Sequence, residues 1–333
     1  MPHTTDRTQS TTVILIRALS RRSPLRALLC PASLKGVLTA ADAAAALAAG
    51  FRTAGVVADE QPVADGGEGS LTALQHARGG RFHEVEVPDA FGRTRRALWL
   101  ELPNGTAVVE AAQAIPLDPE RLDPLAASSE GLGVLIRATG TPRALVVCLG
   151  GTATVDGGAR LGVFRLTAPT RVACDALVPL EDAARLFASQ KGATPEQVEE
   201  LARRLAAMEP LQRFARIPGA GAAGGLGARL ASIGAKLVPG AALVLDELGF
   251  DPTGYDLVVT GEGTIDDTTA TGKAPAEVAR RCAAAGVRCV AFGGIVRAPI
   301  DGAETVPLSG DPARARDDLR ELGALLGGAE LPR

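Results

Sequence analysis

The chain has 333 residues, 46% of them hydrophobic and 22% charged, so it can bury a sizeable core in one large domain or two ordinary ones. A net charge of −3 and an aromatic content of 3% argue against a nucleic-acid partner bound by a basic surface or by stacking. Three histidines and five cysteines without a C-x-x-C pair argue against a zinc site and a disulfide framework. We expect free thiols and a cytoplasmic location. We expect no membrane partner, because no apolar run reaches the ~18 residues of a membrane span.

The first 26 residues are rich in Thr, Ser and Arg, and we expect a disordered N-terminal tail there. The apolar piece at 13–16 is too short for the core of a signal peptide, so a targeting peptide is the weaker alternative.

Beyond the tail, apolar runs alternate with helical patterns, which is typical of an α/β fold. An Asn-Gly turn at 104–105 predicts a hairpin. Strands are predicted over 27–30, 81–87, 95–102, 106–110, 144–149, 242–245, 257–260 and 289–292, and helices over 39–51, 131–138, 181–188, 195–208, 275–285 and 311–326.

Three of these strands, 27–30, 257–260 and 289–292, have the composition of one buried parallel sheet. The hairpin and the middle of the chain then form a module inserted into it. The predicted limits are 27–75 plus 250–333 for the outer domain and 76–249 for the inserted domain.

Glycine is over-represented, at 39 of 333 residues against the roughly 7% of an average protein. The first cluster, Ala64–Ser70, places Asp65 and Glu68 around Gly66 and Gly67. Such a backbone can turn tightly against a ligand, and the carboxylates can hold a hydroxyl or Mg²⁺ beside a phosphate. A tight surface turn with solvated acids explains the pattern equally well.

The second cluster, 150–158, follows the apolar strand 144–149, and ligands of α/β sheets bind beyond such strand ends. Backbone N–H groups of this loop can form an anion nest, beside two hydroxyls and one acid. A plain turn rarely needs four glycines. The candidate residues are Gly151, Thr152, Thr154, Asp156 and Gly157.

The third cluster contains Gly219-x-Gly221-x-x-Gly224, the spacing of a dinucleotide fingerprint, with Asp246 as a fair match to its acid. However, residues 212–217 make a poor buried strand, and Pro218 stands where that strand would enter the turn. A helix start that packs closely against a neighbour, or that binds phosphate, explains the pattern as well.

The fourth cluster, Thr260–Asp266, continues to Lys273 at a helix start, and Lys35 follows the first strand in the same way. Glu262 and Asp266 are acids for a metal or a base, and the two lysines are partners for phosphate. Because Ala274 follows Lys273, a Walker P-loop is excluded. Gly293-Gly294 forms a weaker fifth cluster that can simply end a strand. Together these loops carry what phosphoryl transfer to a small hydroxylated acceptor needs.

The ordered motifs resemble the bacterial two-domain glycerate kinases from about Leu28 to Gly294. The matching segments are 62–70, 150–158, 172–175, 190–193, 219–227, 260–266 and 272–275. The resemblance implies a Rossmann- or flavodoxin-like parallel-sheet domain with a second α/β domain inserted, a cleft between them, and Mg²⁺-ATP. It implies transfer of the γ-phosphate to glycerate, typically at the 2-hydroxyl. A homodimer is an open expectation.

On this hypothesis Asp65, Lys35 and Asp156 are catalytic, and Asp266 and Glu262 hold the metal. Asp65 would orient or deprotonate the substrate hydroxyl. The residues predicted to bind substrate or nucleotide are Gly66, Gly67, Glu68, Gly151, Thr152, Thr154, Gly157, Asp175, Lys191, Gly221, Gly224, Glu262 and Lys273.

The chain departs from the family pattern at several polar positions and lacks about twenty residues between Gly158 and Val172. The replaced positions are Ala32 for Asp, Val155 and Val178 for Asn, Thr264 for Arg and Thr268 for Gln. These losses favour an alternative, a degenerate paralogue that binds ligand or nucleotide with little turnover. A nucleotide-linked oxidoreductase built on Gly219–Gly224 is a third hypothesis.

Overall fold

The computed structural model describes residues 25–270 and 272–329. The predicted tail lies outside the described residues except for its last two positions. The strands are β1 (Ala27–Pro31), β2 (Asp59–Glu60), β3 (Arg81–Pro88), β4 (Thr94–Glu101), β5 (Thr106–Glu110), β6 (Ala144–Cys148), β7 (Thr170–Cys174), β8 (Lys236–Pro239), β9 (Leu257–Ile265), β10 (Arg288–Val296) and β11 (Glu304–Pro307).

Twelve α-helices lie in the described residues, with three short 3-10 helices at 180–182, 189–191 and 312–314. The α-helices are α1 (Ala40–Thr53), α2 (Ser70–Arg78), α3 (Ala111–Ala114), α4 (Glu130–Ala138), α5 (Ala183–Phe187), α6 (Pro195–Ala206), α7 (Glu209–Gln212), α8 (Ala222–Ser232), α9 (Gly240–Leu248), α10 (Asp267–Ala270), α11 (Ala274–Ala285) and α12 (Ala315–Gly328).

The first sheet is fully parallel and has the order β2-β1-β9-β10-β11. This is the flavodoxin order, in which the connection reverses direction between β1 and the next strand in the sheet. The chain leaves this sheet after β2 and returns with β9, so the second sheet is an insertion. The predicted class, a parallel-sheet domain with an inserted α/β domain, is confirmed, while the domain limits 27–75, 250–333 and 76–249 stay predictions.

The inserted sheet has the order β3-β4-β5-β6-β7-β8. Its first two pairings are antiparallel and the others are parallel. The predicted hairpin is confirmed: the Thr106 N–H donates to the Asn104 side chain at 3.0 Å and fixes the turn between β4 and β5. The carboxyl ends of β5, β6 and β7 therefore lie along one edge.

One continuous core joins the two sheets. Helices α2, α9 and α11 lie between them, where Leu74 and Val244 pack with Leu28 of one sheet and Val146 of the other. The outer face of the first sheet is covered by α1 and α12, which pack around the fully buried Phe51. The shared core holds the two sheets in a fixed relation, as a ligand site between them requires.

Two predicted elements are wrong in type or extent. The run 242–245 is part of helix α9 and not a strand, because a short apolar run has no period that distinguishes the two. The strand predicted over 257–260 does not end at its glycine, since β9 continues through Gly261 and Gly263 to Ile265, paired with β10. The pattern also missed β2, β7, β8, β11 and α2.

The third glycine cluster packs closely against the second glycine loop. Residues 213–221 form turns and not a strand, and Asp246 lies in α9, where it pairs with Arg281. The fold context of a dinucleotide fingerprint is therefore missing, and the oxidoreductase hypothesis loses its basis. Gly224 has φ +66°, and its backbone lies directly against Val155 of the second glycine loop, whose Gly157 N–H donates to the Gly224 carbonyl at 3.0 Å.

Gly224→Ala should lower the free energy of unfolding by about 2–4 kcal/mol, because its Cβ would meet the Thr154 carbonyl and the Val155 Cα in a backbone conformation that alanine disfavours. Urea unfolding measures the change. Gly328→Ala is the matched control, since nothing lies within 4 Å of a Cβ there, and it should stay within about 0.5 kcal/mol of wild type. Equal stability of the two variants would contradict the packing role.

Candidate active site

Two glycine loops from different sheets meet through their backbones. Gly67 follows β2 and Gly150 follows β6, and a Cβ on Gly150 would lie 2.6 Å from the Cα of Gly67. The Gly150 N–H donates to the Gly66 carbonyl at 3.1 Å. On the other side, a Cβ on Gly240 would collide with the Asp65 carbonyl. The loop that carries Asp65 is therefore held against the carboxyl ends of the inserted sheet.

This contact brings two carboxylates together. A Cβ on Gly67 would be 3.3 Å from Asp65 Oδ1, and a Cβ on Gly150 would be 3.3 Å from Asp175 Oδ2. Asp175 follows β7. Its side chain is exposed to solvent but has protein atoms around it, which is typical of a residue on the wall of a cleft. This enclosure raises the pKa of Asp175, and the charge of Asp65 raises it further, whereas Lys191 and Lys35 lower it.

Lys191 is a buried cation opposite Asp175. Its side chain comes from the 3-10 helix at 189–191, is 4% exposed, and donates from Nζ to the Thr154 carbonyl at 2.8 Å. Burial lowers the pKa of Lys191 to about 8, although the negative charges of Asp175 and Asp156 oppose the shift. A buried ammonium group with spare donors is equipped to meet an anionic ligand.

Two hydroxyls of the second glycine loop have unused hydrogen-bonding capacity. Thr152 and Thr154 are 3% and 0% exposed, and among the described residues neither Oγ1 has a hydrogen-bond partner. A buried polar group without a partner costs about 1–3 kcal/mol, so such groups in a native loop call for an explanation. Thr154 lies next to Lys191, because its backbone carbonyl accepts from Lys191 Nζ.

Asp156 lies in the same loop but uses both carboxylate oxygens within the protein. Oδ2 accepts from the Ser129 N–H at 3.0 Å and from its hydroxyl at 2.7 Å, and Oδ1 accepts from the Gly158 N–H at 3.0 Å. These bonds join the loop to the start of α4. The catalytic role predicted for Asp156 stays a prediction, and its contacts favour positioning.

A cavity of about 300 Å³ opens at the carboxyl edge of the first sheet, over the ends of β1, β9, β10 and β11. It includes the topological switch point between β1 and β9, where sheets of the flavodoxin order bind ligands. Its charged lining consists of Lys35, Lys273, Glu262, Asp311 and Asp318. Its apolar part consists of Leu34, Val37, Ile295, Leu308, Pro312 and Ala315.

Glu262 connects the cavity to the cleft. Its Oε2 lies 3.6 Å from Lys273 Nζ, and its Oε1 accepts from the Thr269 hydroxyl at 2.8 Å. Burial raises the pKa of Glu262, Lys273 and Thr269 lower it, and the charge of Asp65 raises it. The charge of Asp65 thus acts on Glu262 at the cavity and on Asp175 at the cleft.

The predicted residues separate into three groups. The core of the site contains Lys35, Asp65, Gly66, Gly67, Thr152, Thr154, Asp175, Lys191, Glu262 and Lys273. At its rim, Glu68 and Gly151 are exposed. Gly157, Gly221 and Gly224 lie behind it: the Gly157 N–H bonds to Gly224, and the Gly221 N–H donates to the Val178 carbonyl at 2.9 Å.

The predicted metal ligands differ in their surroundings. Glu262 faces Lys273, whereas Asp266 is near the surface and accepts from the Thr268 hydroxyl and N–H at 2.5 and 2.9 Å. The described residues contain no group of three or more His, Cys, Asp or Glu that could hold a metal. This donor set still fits Mg²⁺, which is usually bound through one or two carboxylates plus substrate phosphates.

The departures from the family pattern fit the packing around the site. Val155 is 1% exposed in an apolar cluster with Leu180, and the Ala32 N–H bonds to the Gly261 carbonyl at 2.8 Å. Thr264 lines the cavity. The valine at 155 is therefore part of the apolar packing behind the loop.

Sequence reasoning missed two buried polar residues at the site. Glu110 ends β5, is 1% exposed, and accepts from the Leu71 N–H at 2.6 Å. The only sequence feature that marked Glu110 was its position as an acid at the end of the apolar run 106–110. Thr269, which orients Glu262, is 0% exposed and had no signal.

The pH dependence of stability tests the burial of Lys191. Its pKa is about 8 in the folded chain against an ordinary 10.5, so between these pH values the unfolded chain binds more protons. The free energy of unfolding of wild type should therefore rise across this range, by about 3 kcal/mol relative to Lys191→Met. Urea unfolding at several pH values measures this.

The matched control is Lys236→Met, which alters an exposed lysine in β8 and should keep the wild-type slope. If Lys191→Met kept the same slope of unfolding free energy against pH, the burial of Lys191 and its lowered pKa would be contradicted.

No helix among residues 25–270 and 272–329 is long and apolar enough to span a membrane. The family model described as "Glycerate kinase family" matches residues 27–168 and 165–309. The two matched segments overlap at residues 165–168.

Named relatives cover most of the chain. A glycerate kinase of Halalkalibacterium halodurans is 35% identical, over 80% of this chain and 84% of its own. A glycerate 2-kinase of Escherichia coli K12 is 34% identical, over 77% and 81%. A crystal structure from Salmonella typhimurium LT2, assigned as a glycerate kinase 2, has a TM-score of 0.77 at 29% identity and covers 92% of this chain and 98% of its own. This chain therefore belongs to the glycerate kinase family.

Proposed function

We propose that the chain transfers the γ-phosphate of ATP to a hydroxyl of glycerate. The observation that carries the proposal is the meeting of three carboxylates and three lysines where the carboxyl ends of both sheets come together. Phosphoryl transfer depends on positioning and charge neutralisation, which such a set supplies. The charged residues are Asp65, Asp175, Glu262, Lys35, Lys191 and Lys273.

The nucleotide fits the cavity at the switch point of the first sheet. The apolar side chains of Leu34, Val37 and Ile295 suit the base and sugar. Lys35 and Lys273 lie at the charged part and suit the phosphates, as ammonium groups are effective phosphate partners. The γ-phosphate then points toward Asp65.

The acceptor fits the inserted-domain side of the cleft. Lys191 and the unpartnered hydroxyls of Thr152 and Thr154 match the carboxylate of glycerate, an anion with several acceptor oxygens. Asp175, with its raised pKa, faces the same region and can hold a substrate hydroxyl. In this pose the 2-hydroxyl, next to the carboxylate, faces Asp65, so the product is 2-phosphoglycerate.

Asp65 is the proposed base. The hydroxyl oxygen of glycerate forms a bond to the γ-phosphorus, the bond from that phosphorus to the bridging oxygen of ADP breaks, and the hydroxyl proton passes to the Asp65 carboxylate. Lys35 and Lys273 balance the charge on the phosphate oxygens.

Glu262 and Asp266 are the residues that would hold the Mg²⁺ of Mg²⁺-ATP, at the end of β9. The ion would neutralise charge on the phosphate oxygens. Within the protein, the Thr269 hydroxyl bonds to Glu262 at 2.8 Å and accepts from the Asp266 N–H at 3.1 Å, so it fixes both residues relative to each other.

The direct test is turnover with D-glycerate and Mg²⁺-ATP, followed by identification of the phosphoglycerate isomer. Wild type should form ADP and 2-phosphoglycerate, and Asp65→Asn should lower kcat by about 100-fold or more, because it removes the base. Asp251→Asn, at an exposed turn, is the matched control and should keep wild-type kcat.

Absence of turnover by wild type, with measurable binding of ATP or glycerate, would favour the degenerate paralogue that the replaced residues suggest. Full turnover by Asp65→Asn would remove Asp65 from the mechanism. Formation of 3-phosphoglycerate would contradict the acceptor pose.

A further inference from the structure

Glu110 is a buried carboxyl group directly beneath the loop that carries Asp65. It is the last residue of β5, is 1% exposed, and lies beside Cys148 at the end of β6. Its Oε1 accepts from the Leu71 N–H at 2.6 Å, and its Oε2 accepts from the Gln113 side chain at 3.5 Å. It thus joins the inserted sheet to the first turn of α2.

Helix α2 needs this external partner because its own N-cap cannot supply one. The N-cap is Gly69, with φ +93° and no side chain to accept from the first-turn N–H groups. Ser, Thr, Asp or Asn usually fills that role. The glycine loop requires a left-handed conformation there, so the capping carboxylate comes from another strand. A carboxylate at a helix N-terminus is also favoured by the helix dipole.

The same loop is fixed at its other end by Ser70, whose hydroxyl donates to the Gly67 carbonyl at 2.8 Å. These two bonds and the Gly150 contact hold the backbone from Gly66 to Leu71 at three points. Asp65 directly precedes this fixed segment.

We infer that Glu110 is a positioning residue for phosphoryl transfer, which fixes the Asp65–Gly69 loop through the first-turn N–H of α2. The inference rests on the proposed function, because it assigns Asp65 to the reacting hydroxyl. Glu110 does not touch the substrate. Its effect is on the placement of Asp65, where an error of about 1 Å can cost about 100-fold in rate.

The surroundings of Glu110 give its contact a pH dependence. Burial raises the pKa of Glu110 to about 7, bonds from Leu71, Gln113 and Ser70 lower it, and the charge of Glu68 in the glycine loop raises it. Cys148 of β6 is the other titratable group beside it. A proton on Glu110 weakens its bond to the Leu71 N–H, since charged acceptors form the stronger bonds. The acid limb of kcat should therefore include an inflection near pH 7.

The experiment combines steady-state kinetics over pH 5.5–9 with amide hydrogen exchange of residues 66–74 in full-length protein. Glu110→Gln keeps the shape and an acceptor oxygen, so it should fold, lower kcat by about 3- to 10-fold, and lose the inflection near pH 7. Glu110→Ala should lower kcat by about 10- to 100-fold with KM for ATP unchanged, and should speed exchange at residues 71–74 by tenfold or more.

Thr106→Val is the matched control, because it changes a buried polar residue at the other end of β5, and it should leave kcat and exchange at 66–74 unchanged. Variants of Glu110 with wild-type kcat and pH profile would overturn the inference alone. The inference would also be overturned if the Glu110 variants lost kcat but showed faster amide exchange evenly through the whole chain. A wild type without turnover would overturn the proposed function, and the exchange result would then report the capping bond by itself.

Discussion

The site depends on one contact, the backbone approach of Gly67 to Gly150. Any side chain at Gly150 would separate the loop of the first sheet from the end of β6, because a Cβ there would lie 2.6 Å from the Cα of Gly67. With the approach in place, the charge of Asp65 acts on Asp175 on one side and on Glu262 on the other. The core shared by both sheets then holds the two loops in this relation. The glycine excess of the composition is thus explained in part by a junction between domains.

Charge balance at this junction follows from the same approach. Three carboxylates placed together would repel one another, and three lysines offset them. The chain contains only four lysines, and three of them, Lys35, Lys191 and Lys273, lie at the site. Of the described ion pairs, all but the pair of Glu262 with Lys273 and that of Glu101 with His83 use arginine. A compact ammonium group suits a transferring phosphate, whereas arginine suits fixed carboxylate pairs on the surface.

Much of this could be predicted from sequence, for reasons that differ by residue. Lys35, Asp65 and Glu262 were predictable because each lies in a loop or strand end with its own glycines, and parallel strands bring such ends together. Helix α9 was not predictable, because the apolar run 242–245 has no period that distinguishes a helix from a strand. Gly224 matched a fingerprint, but its backbone packs against Val155, and only the fold shows that contact. Glu110 was missed because its partner, the Leu71 N–H, lies in α2, which follows a strand of the other sheet.

The most direct measurement is a crystal structure of the chain with a non-hydrolysable ATP analogue, Mg²⁺ and D-glycerate. We expect the triphosphate between Lys35 and Lys273, the carboxylate of glycerate at Lys191 and Thr154, and the 2-hydroxyl between Asp65 and the γ-phosphate. Binding of either ligand away from the junction of the two glycine loops, for example on the third glycine cluster at 219–225, would contradict it.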